Sequence, residues 1–570
     1  MRITNKMMQN NSLTNLNNNK ILQDRLNNQI ASEKKISRPS DDPVIAIRAL
    51  RLRTNLSEID QYLEKNVEDA ENWISSTEAA LDNMNSVLTD MYSQCETGNN
   101  GGFTSENRAA VLEQLKGLRD EVYSTGDSDC AGRTLFTGYR TDSKLKFQDN
   151  TVEPYQITEK FTKSDMDSKT YVNTQNLKDI TATSIPSTAI TENSINDSSV
   201  NRIMLSYGNL DDTSGLEMKL SKAVTTSVSP SGNTVTVGTG ADSVTVGISD
   251  AGTTVTSAGG GAVHVGAGNP LEISVGGVTY SVPYTDAGGG AVQFATEATS
   301  SETIPVTTMS SGGATDPYTA IATGSYKAIL VPETGELLLS DATKDAINTL
   351  DDNDEISFTY RKENWVKDDL RPEHYFACVA NPDAVDNSRQ VYSGEAQYME
   401  YDVGYNQKMR VNTLASEVFT HDIGRTVDEL VQASQDVVDM EAIVKDLTAM
   451  VDNSDYDQDK VTSNLEAANK ALTLLKDKEK KLYGKGMTAM QGYMAQTNLA
   501  TTNLGNRDSR LALIKTRLTS QQTNFKGLVQ ENEGANVEAV SVELKSATVA
   551  YDAALMATSK IVQNSLMNYI

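Results

Sequence analysis

Apolar residues near the C-terminal end of the chain recur in steps of three and four. They form two runs on either side of the polar residues 531–534, and this spacing keeps each run on one side of a helix. A stripe so narrow and so long needs a partner helix, either from the other end of the chain or from another copy of the chain. The stripe positions are Leu504, Leu511, Ile514, Leu518, Phe525, Leu528, Val537, Val540, Leu544, Ala547, Tyr551, Ala554 and Ile561.

A similar stripe near the N-terminus predicts one long helix over residues 44–95. At ~1.5 Å per residue this helix would be about 75–80 Å long, which is typical of a coiled coil or bundle. Asn66 and Thr77 interrupt the apolar stripe, and polar stripe positions tend to fix the register between helices. The other stripe positions are Leu56, Ile59, Leu63, Ala70, Trp73, Leu81, Met84, Leu88 and Met91.

A helix-start motif precedes this stripe, consisting of Arg38, Pro39, Asp41, Asp42 and Pro43. Asp42 has the side chain of an N-cap, and Pro43 suits the first helical turn, where its missing N–H costs nothing. The preceding residues 1–40 are rich in Asn, Gln and Ser, which form helices poorly. We therefore expect them to be disordered or only partly helical unless a partner fixes them.

The middle of the chain changes to strand patterns between residues 150 and 415. Apolar and polar residues alternate there, and glycine or turn residues separate several pairs of runs, so we expect an all-β insertion. The predicted hairpins pair 234–237 with 243–246, 271–275 with 278–282, 328–331 with 336–340, and 397–403 with 408–412. The Gly-rich segments 258–263 and 287–292 are near-copies, and nothing in the insertion indicates a ligand.

Helical patterns return from Thr426, and a long helix is expected from Val461 towards the C-terminus, weakened at Gly484, Gly486 and Gly492. A shorter helix over residues 106–123 is expected to fold back after a loop at 98–103. The predicted fold class is therefore α+β and multidomain. Paired N- and C-terminal segments form a long helical coiled coil or bundle, with a β-rich inserted middle region.

The net charge of the chain limits the classes of partner that it is expected to bind. The 570 residues carry a formal net charge of −27, which argues against nucleic acid and anionic membranes as general partners. No segment approaches the ~20 consecutive apolar residues of a membrane span, and the N-terminus lacks the apolar core of a secretory signal. The three cysteines, Cys95, Cys130 and Cys378, lie too far apart in sequence to suggest a disulfide framework or a zinc site.

Candidate chemistry is sparse, and we predict that the chain is not an enzyme and binds no cofactor or metal. His264, His374 and His421 have no carboxylate or cysteine at ligand spacing, and HExxH, GxSxG and Walker A motifs are missing. Residues 455–466 match a calcium loop at the positions of Asp455, Asp457, Asp459 and Glu466. Lys460 stands where that loop needs glycine, so a solvated turn between helices is the favoured interpretation.

The two ends of the chain together resemble the flagellin family. Residues 36–44 read Ile-Ser-Arg-Pro-Ser-Asp-Asp-Pro-Val, and with residues 1–4 and the long helix they are similar to the N-terminal region of that family. Residues 517–525 read Arg-Leu-Thr-Ser-Gln-Gln-Thr-Asn-Phe, and with 531–533, 543–545 and 551–555 they resemble the members at the hook–filament junction rather than the bulk filament subunit. The middle adds no motif to this resemblance, and it is the part in which the family varies.

This resemblance implies a structural subunit that is exported unfolded by the flagellar type III apparatus and assembles outside the cell. Its implied partners are other copies of itself in a ring, the first junction protein of the hook, flagellin, and a cytoplasmic export chaperone on the C-terminal helix. The sixteen stripe residues Leu56, Ile59, Leu63, Trp73, Leu81, Leu88, Leu504, Leu511, Ile514, Leu518, Phe525, Leu528, Val540, Leu544, Tyr551 and Ile561 are then the expected assembly interface.

The resemblance also implies five segments: residues 1–42 as a disordered or inner-tube helix segment, 43–149 and 416–504 as the halves of a helical bundle, 150–415 as a variable β-rich outer region, and 505–570 as the C-terminal inner-tube helix. Two alternatives stay open. The chain could be flagellin itself, which shares the N-terminal motif, or an adhesive or glycan-binding flagellar subunit acting through its β-rich insertion.

Overall fold

Two compact units make up the chain, and each draws on separate parts of the sequence. The terminal unit comprises Met1–Ser75, Glu400–Val411 and Leu504–Ile570, and the central unit comprises Ser76–Met399 and Asn412–Asn503. A computed structural model describes residues 5–100, 104–211, 216–228, 234–238, 243–249, 252–257, 264–265, 269–275, 278–288, 291–313, 315–352, 354–451, 453 and 455–567. The predicted features at residues 1–4 and 258–263 lie outside these residues.

Long helices occupy both ends of the described chain, as the stripes predict. A π-helical segment at Tyr62–Val67 joins the second and third helices, so the predicted rod is helical throughout but changes its winding at that point. The helices are α1 (Asn5–Ser32), α2 (Pro43–Gln61), α3 (Glu68–Asn99), α4 (Ser105–Gly126), α5 (Pro317–Ala322), α6 (Asp341–Asn348), α7 (His421–Met450), α8 (Gln458–Glu533) and α9 (Val537–Met567). None of the helices in these residues combines the length and apolar character of a membrane span.

The N- and C-terminal segments pair, as the predicted fold class requires. Lys34 and Gly534 form an isolated antiparallel bridge, where Lys35 N donates to Glu533 O at 2.7 Å and Ala535 N donates to Glu33 O at 2.8 Å. Helix α1 ends just before this bridge and α9 begins just after it, and the two helices pack against each other. Residues that were expected to be disordered alone are thus helical beside a partner from the same chain.

The shielded side of α1 is largely polar, which explains why the sequence alone did not predict a stable helix. Leu26 is its one buried apolar residue among those described. The remaining positions on that side are half-buried at steps of three and four, and they are Gln9, Ser12, Leu16, Asn19, Gln23 and Ile30. Since burying Gln, Ser and Asn contributes little hydrophobic free energy, α1 depends on α9 for its order.

Strands fill the middle of the central unit, and the largest sheet has the main-path order β21-β20-β3-β19-β6-β16-β17-β18-β5-β4. Only β16 and β17 pair in parallel among the described strands. The strands are β1 (Asp129–Cys130), β2 (Arg133–Thr134), β3 (Thr151–Phe161), β4 (Met166–Asn173), β5 (Asn196–Met204), β6 (Glu217–Thr225), β7 (Ser227–Val228), β8 (Thr234–Val237), β9 (Val244–Ser249), β10 (Gly252–Ser257), β11 (His264–Val265), β12 (Leu271–Val275), β13 (Val278–Val282), β14 (Tyr284–Gly288), β15 (Ala291–Phe294), β16 (Glu297–Thr308), β17 (Ala328–Val331), β18 (Glu336–Leu339), β19 (Glu355–Trp365), β20 (Ala377–Ala380), β21 (Gln390–Tyr392), β22 (Glu400–Gly404) and β23 (Gln407–Arg410).

The predicted hairpins are confirmed, but the expectation of an all-β insertion is wrong. Strands β8 and β9, β12 and β13, β17 and β18, and β22 and β23 pair antiparallel as expected. Two short helices, α5 and α6, interrupt the insertion. Asp316 and Ser340 cap them by accepting hydrogen bonds from the backbone N–H groups of Thr319 and Thr343, so local capping overrides the strand-rich composition.

Glycines that the sequence predicts as a loop or as weak points of a helix lie inside continuous helices. Helix α8 runs through Gly484, Gly486 and Gly492 without interruption, and α3 includes Gly98, which was expected in a loop. A Cβ at Gly98 would lie 2.4 Å from a ring carbon of Tyr483, and one at Gly486 would lie 3.3 Å from Cys95 Sγ. Close helix packing therefore explains Gly98 and Gly486, whereas a Cβ at Gly492 would have no neighbour within 4 Å.

The central unit is held by an aromatic core and by buried ion pairs. Trp365 stacks on Phe147 and meets Tyr155 and Tyr207 edge-on, with ring centroids 4.8 to 5.4 Å apart. Buried Arg108 donates through Nε to Glu479 at 2.8 Å, and Ser434 donates to the same carboxyl at 2.6 Å. Apolar burial thus supplies most of the cohesion of this unit, and the ion pair is costly to break from one side only.

Candidate assembly interface

The helix-start motif has the capping geometry that its sequence predicts. Asp42 Oδ1 accepts hydrogen bonds from Val44 N at 3.0 Å and Ile45 N at 3.2 Å, and Pro43 occupies the first turn. Asp41 Oδ2 accepts from Ser37 N and Arg38 N at 3.1 and 2.9 Å. These backbone donors, that of Arg38 most strongly, lower the pKa of the Asp41 carboxyl.

The motif lies beside the break between α8 and α9. Glu533 is buried and forms an ion pair with Arg53 of α2. Asn532 Nδ2 donates to Ile45 O at 3.2 Å, and Lys35 Nζ donates to Glu531 O at 2.6 Å. The polar residues 531–534, which the sequence shows only as a gap in the stripe, therefore anchor the two ends of the chain to each other.

Polar contacts continue in antiparallel order between α8 and the helical run from α2 through the π-helical segment to the start of α3. Gln522 Nε2 donates to Asp60 at 2.8 Å and to Glu64 at 3.0 Å, and farther along Lys515 Nζ lies 2.5 Å from Glu71. The residue numbers fall on one helix as they rise on the other. The predicted stripes of the two chain ends therefore belong to helices that run side by side within the terminal unit.

The β22–β23 hairpin contacts both of these helical segments. Asn66 Nδ2, in the π-helical segment, donates to Asp402 O at 2.7 Å, and Arg517 of α8 donates to Gln407 Oε1 at 2.6 Å. The sequence predicts that Asn66 fixes the register of a helical stripe. Its observed partner is instead the backbone of the hairpin, a contact that no sequence pattern predicted.

The structure buries half of the predicted interface stripe within one chain. Its buried members are Ile59, Trp73, Leu81, Leu88, Leu504, Leu511, Ile514 and Leu518. Half-buried members are Leu56, Leu63, Phe525, Val540, Leu544 and Tyr551, while Leu528 is exposed and the side chain of Ile561 lies outside the described residues. Whether these residues contact a neighbouring subunit stays a prediction, and the buried ones have no surface to offer unless the chain opens.

Helix α9 carries a second apolar stripe that the sequence reading missed. In the first stripe, Val540, Leu544, Ala547, Tyr551 and Ala554 are buried or half-buried, while Val537 is 41% exposed. On the opposite side, Val542, Val549 and Met556 recur every seven residues and are 70%, 68% and 70% exposed. An exposed small residue lies three positions before each of them, namely Ala539, Ser546 and Ala553. These six residues form the outer stripe of α9, and its many small side chains hid a signal that the same 3/4 spacing would have revealed.

His421 and the acidic residues of 455–466, which were considered as candidate functional groups, lie in packed surroundings or at the start of a helix. His421 is buried against the rings of Tyr207, Tyr375 and Phe376. Burial, reinforced by the positive charge of Arg425, lowers the pKa of this imidazole to about 3. The described part of residues 455–466 is largely the first turns of α8, and no group of metal-ligating side chains forms in the described chain.

Comparison with known proteins places the N-terminal helices in a recognised class. Residues 3–141 match the bacterial flagellin N-terminal helical region. This match covers α1 to α4, which include the helix-start motif and the N-terminal stripe. It confirms the resemblance to the flagellin family that residues 36–44 indicate.

Curated relatives narrow the resemblance to one member of that class. Flagellar hook-associated protein 3 of Salmonella typhimurium is 27% identical over 144 residues, which is 25% of this chain and 45% of the relative. The protein of the same name from Escherichia coli is 25% identical over 144 residues with the same coverage. The chain thus spans less than half the length of these relatives. A flagellin of Clostridium tyrobutyricum is 26% identical over 122 residues, covering 21% of this chain and 32% of that one.

Solved structures of similarly named proteins align with this chain at low TM-scores. A putative flagellar hook-associated protein of Vibrio parahaemolyticus is 31% identical over 20% of this chain and 50% of its own, with a TM-score of 0.19. Flagellar hook-associated protein 3 of Legionella pneumophila is 8% identical, covers 84% of this chain and 97% of its own, and has a TM-score of 0.28. Scores this low carry no conclusion about function.

Proposed function

We propose that this chain is a structural, non-enzymatic subunit of the bacterial flagellum that forms the junction between hook and filament. The observation that carries the proposal is the outer stripe of α9. It combines a 3/4 spacing with about two-thirds exposure of Val542, Val549 and Met556, on a helix already paired through its opposite side. A helix with two apolar sides is suited to a second helical neighbour, because isolated surface helices normally have one.

Identical copies are the proposed neighbours on this stripe. Large and small residues alternate along this stripe: Val542, Val549 and Met556 are the large ones, and Ala539, Ser546 and Ala553 are the small ones. Such ridges and gaps allow two helices to interlock, as they do in coiled coils. Burying three large side chains, at about 1.5–3 kcal/mol each, would offset the ordering of the terminal helices on assembly. The assembly would form a ring, with the first junction protein on one side and flagellin on the other.

Export and location follow from the same proposal. A junction subunit has to leave the cell, and we propose that the flagellar type III apparatus exports it unfolded and that a cytoplasmic chaperone covers the C-terminal helix until then. The five proposed segments keep their boundaries at residues 42/43, 149/150, 415/416 and 504/505. The support for these finer statements is the resemblance of the chain ends.

Substitution of the outer stripe tests the proposal. In a strain that lacks the native protein, Val542→Ser with Val549→Ser should be secreted normally but should fail to hold filaments on hooks. The matched control is Val366→Ser with Val385→Ser, which alters exposed valines of the central unit. Cells of the stripe variant that keep their filaments and swim would contradict the proposal. Leu518→Asp would be a poorer choice, since Leu518 is buried and its loss would disturb the terminal unit itself.

Location separates the junction role from that of flagellin. Immunogold labelling of intact flagella should give a single band at the distal end of the hook. Labelling along the whole filament would instead identify a bulk filament subunit, the alternative that the shared N-terminal region leaves open.

A further inference from the structure

The rod formed by α2, the π-helical segment and the start of α3 has its charges separated along its length. Residues 43–54 contain three arginines and no acidic residue, while residues 55–75 contain six acidic residues and one lysine. The basic residues are Arg48, Arg51 and Arg53. The later residues are Glu58, Asp60, Glu64, Lys65, Glu68, Asp69 and Glu71.

Several of these charges have no partner within the described chain. Arg53 pairs with Glu533, and Glu71 pairs with Lys515. In contrast, Arg48 and Arg51 are exposed and form no hydrogen bond or ion pair with any described residue, and the same holds for the side chains of Glu58, Glu68 and Asp69. Apart from the exposed Lys65, the unpaired positive charges thus lie at one end of the rod, and most unpaired negative charges lie at the other.

Apolar side chains accompany the unpaired arginines. Val44, Ile47 and Leu50 are 70%, 58% and 68% exposed, while Ala49 of the same helix is buried. Large exposed apolar groups beside arginine are characteristic of the cores of protein interfaces. Val44, Ile47, Arg48, Leu50 and Arg51 are called the basic patch below, and Glu58, Glu64, Glu68 and Asp69 are called the acidic segment.

We propose that the basic patch of one copy docks on the acidic segment of a second copy, with the two rods parallel and staggered. The inference rests on the proposed function and names the contact between its subunits. The centres of the two regions are about sixteen residues apart, which corresponds to a stagger of about 24 Å at ~1.5 Å per residue.

A second copy fits both regions better than an unrelated partner does. Each copy presents one basic patch and one acidic segment, so a staggered contact satisfies one region of each partner and leaves the other region free. Such a heterologous contact adds copies in series instead of stopping at a closed pair. An antiparallel pair would satisfy both regions at once and would stop at two copies.

Charge reversal and its rescue test this contact in cells. Arg48→Glu with Arg51→Glu should reduce the fraction of hooks that carry filaments about tenfold or more, because like charges would then face each other. Glu68→Lys with Asp69→Lys should have a similar effect. The combination of all four changes should restore filaments, which a merely structural role of either region would not allow. Lys480→Glu with Lys481→Glu, on exposed residues of the central unit, is the control of equal charge change.

Disulfide trapping tests the stagger directly. Thr54→Cys with Asn72→Cys, in the full chain with Cys130→Ser, should give disulfide-linked series of three or more copies in isolated flagella. Within one chain these positions are eighteen helical residues, or about 27 Å, apart, which is far beyond the ~7 Å limit of a disulfide. Linked species that stop at two copies would overturn the parallel arrangement.

The outcomes separate this inference from the function on which it rests. Charge-reversed variants that hold filaments as well as the wild type would overturn the docking contact, and so would failure of the four-residue combination to restore filaments. The proposed function would stand in both cases if the outer-stripe variant still lost its filaments. Labelling that is missing from the hook end would remove the function itself.

Discussion

The two units of the chain differ in the solvent exposure of their most prominent large apolar side chains. In the central unit the largest aromatic residues, such as Phe358, Tyr360 and Trp365, are almost completely buried among their own neighbours. In the terminal unit, Val542 and Val549 on α9 and Ile47 and Leu50 on α2 are more than half exposed. The difference teaches that the central unit is stabilised by its own packing, whereas the helices of the terminal unit leave several large apolar side chains exposed.

Polar groups follow the same division. The central unit encloses Arg108 with Glu479 and Ser434, and it encloses Glu159 with Ser206 and Tyr360. In the terminal unit, Lys515 and Glu71 are each about half exposed, and Arg53 is half exposed beside the buried Glu533. Since exposed pairs contribute little to stability, equal changes in the two units should have very unequal effects.

The largest expected effect comes from the core of the central unit. Phe358→Ala should lower the free energy of unfolding of this unit by about 3–5 kcal/mol, because it removes a fully buried ring that stacks on Tyr360. Urea denaturation followed by Trp365 fluorescence in a Trp73→Phe background would measure the loss. Val385→Ala, at a fully exposed valine, is the control, and equal midpoints for the two variants would refute the self-sufficient core.

The next effect is a pH dependence of the stability of the central unit. Burial raises the pKa of the Glu159 carboxyl from 4.5 to about 7, although Tyr360 and Ser206 donate hydrogen bonds to it. The folded state therefore binds a proton more tightly than the unfolded state does. The contribution of this carboxyl to stability is complete below pH 4.5 and is lost as the pH rises towards 7.

Glu159→Gln should remove roughly 3 kcal/mol of this pH-dependent loss, the value that corresponds to the pKa shift. Melting temperatures of wild type and variant at pH 5 and pH 8 would show it. His421, whose stabilising contribution is lost as the pH falls from 6.5 towards 3, is common to both proteins and cancels in the comparison. Glu302→Gln, on an exposed strand residue, should leave the dependence unchanged. Parallel profiles for wild type and Glu159→Gln would contradict the assignment.

The smallest effect is expected at the start of α2 in the terminal unit. Asp42→Ala should cost about 1 kcal/mol, since two backbone N–H groups lose their acceptor. Amide hydrogen exchange in the first turn of α2, at residues 44–47, should become faster by about fivefold. Asp42→Ser keeps a capping oxygen and should exchange at nearly the wild-type rate. Equal exchange in the Ala and Ser variants would show that the cap contributes nothing there.

The sequence predicts the pairing of the chain ends well because the buried stripe is built from large residues. Leu504, Leu511, Leu518 and Ile514 repeat at helical spacing, and a helix is the one regular structure that gathers them on one side. The RPSDDP motif likewise fixes the beginning of α2, since capping depends on local residues alone. Predictions of this kind need no knowledge of distant contacts.

Features that depend on distant contacts could not be predicted. Gly98 and Gly486 look like helix breakers until Tyr483 and Cys95 are seen against them. Alanine and serine occupy half of the positions in the outer stripe of α9, so its apolar pattern is weak in the sequence. The hydrogen bond of Asn66 to Asp402 joins residues 336 positions apart. The spacing of apolar residues also does not show whether they are buried within the chain or remain exposed. The predicted interface therefore contains residues of both kinds.

The bridge between Lys34 and Gly534 has a consequence for the time course of synthesis. Lys35 and Glu531 are 496 residues apart, so α9 does not exist when α1 emerges from the ribosome. At ~5–20 residues per second the delay is about 25–100 s. During that interval the newly synthesised N-terminal segment lacks the helix on which it folds. Any factor that binds this segment then meets an unpaired, Asn-rich polypeptide and not the helix pair of α1 and α9.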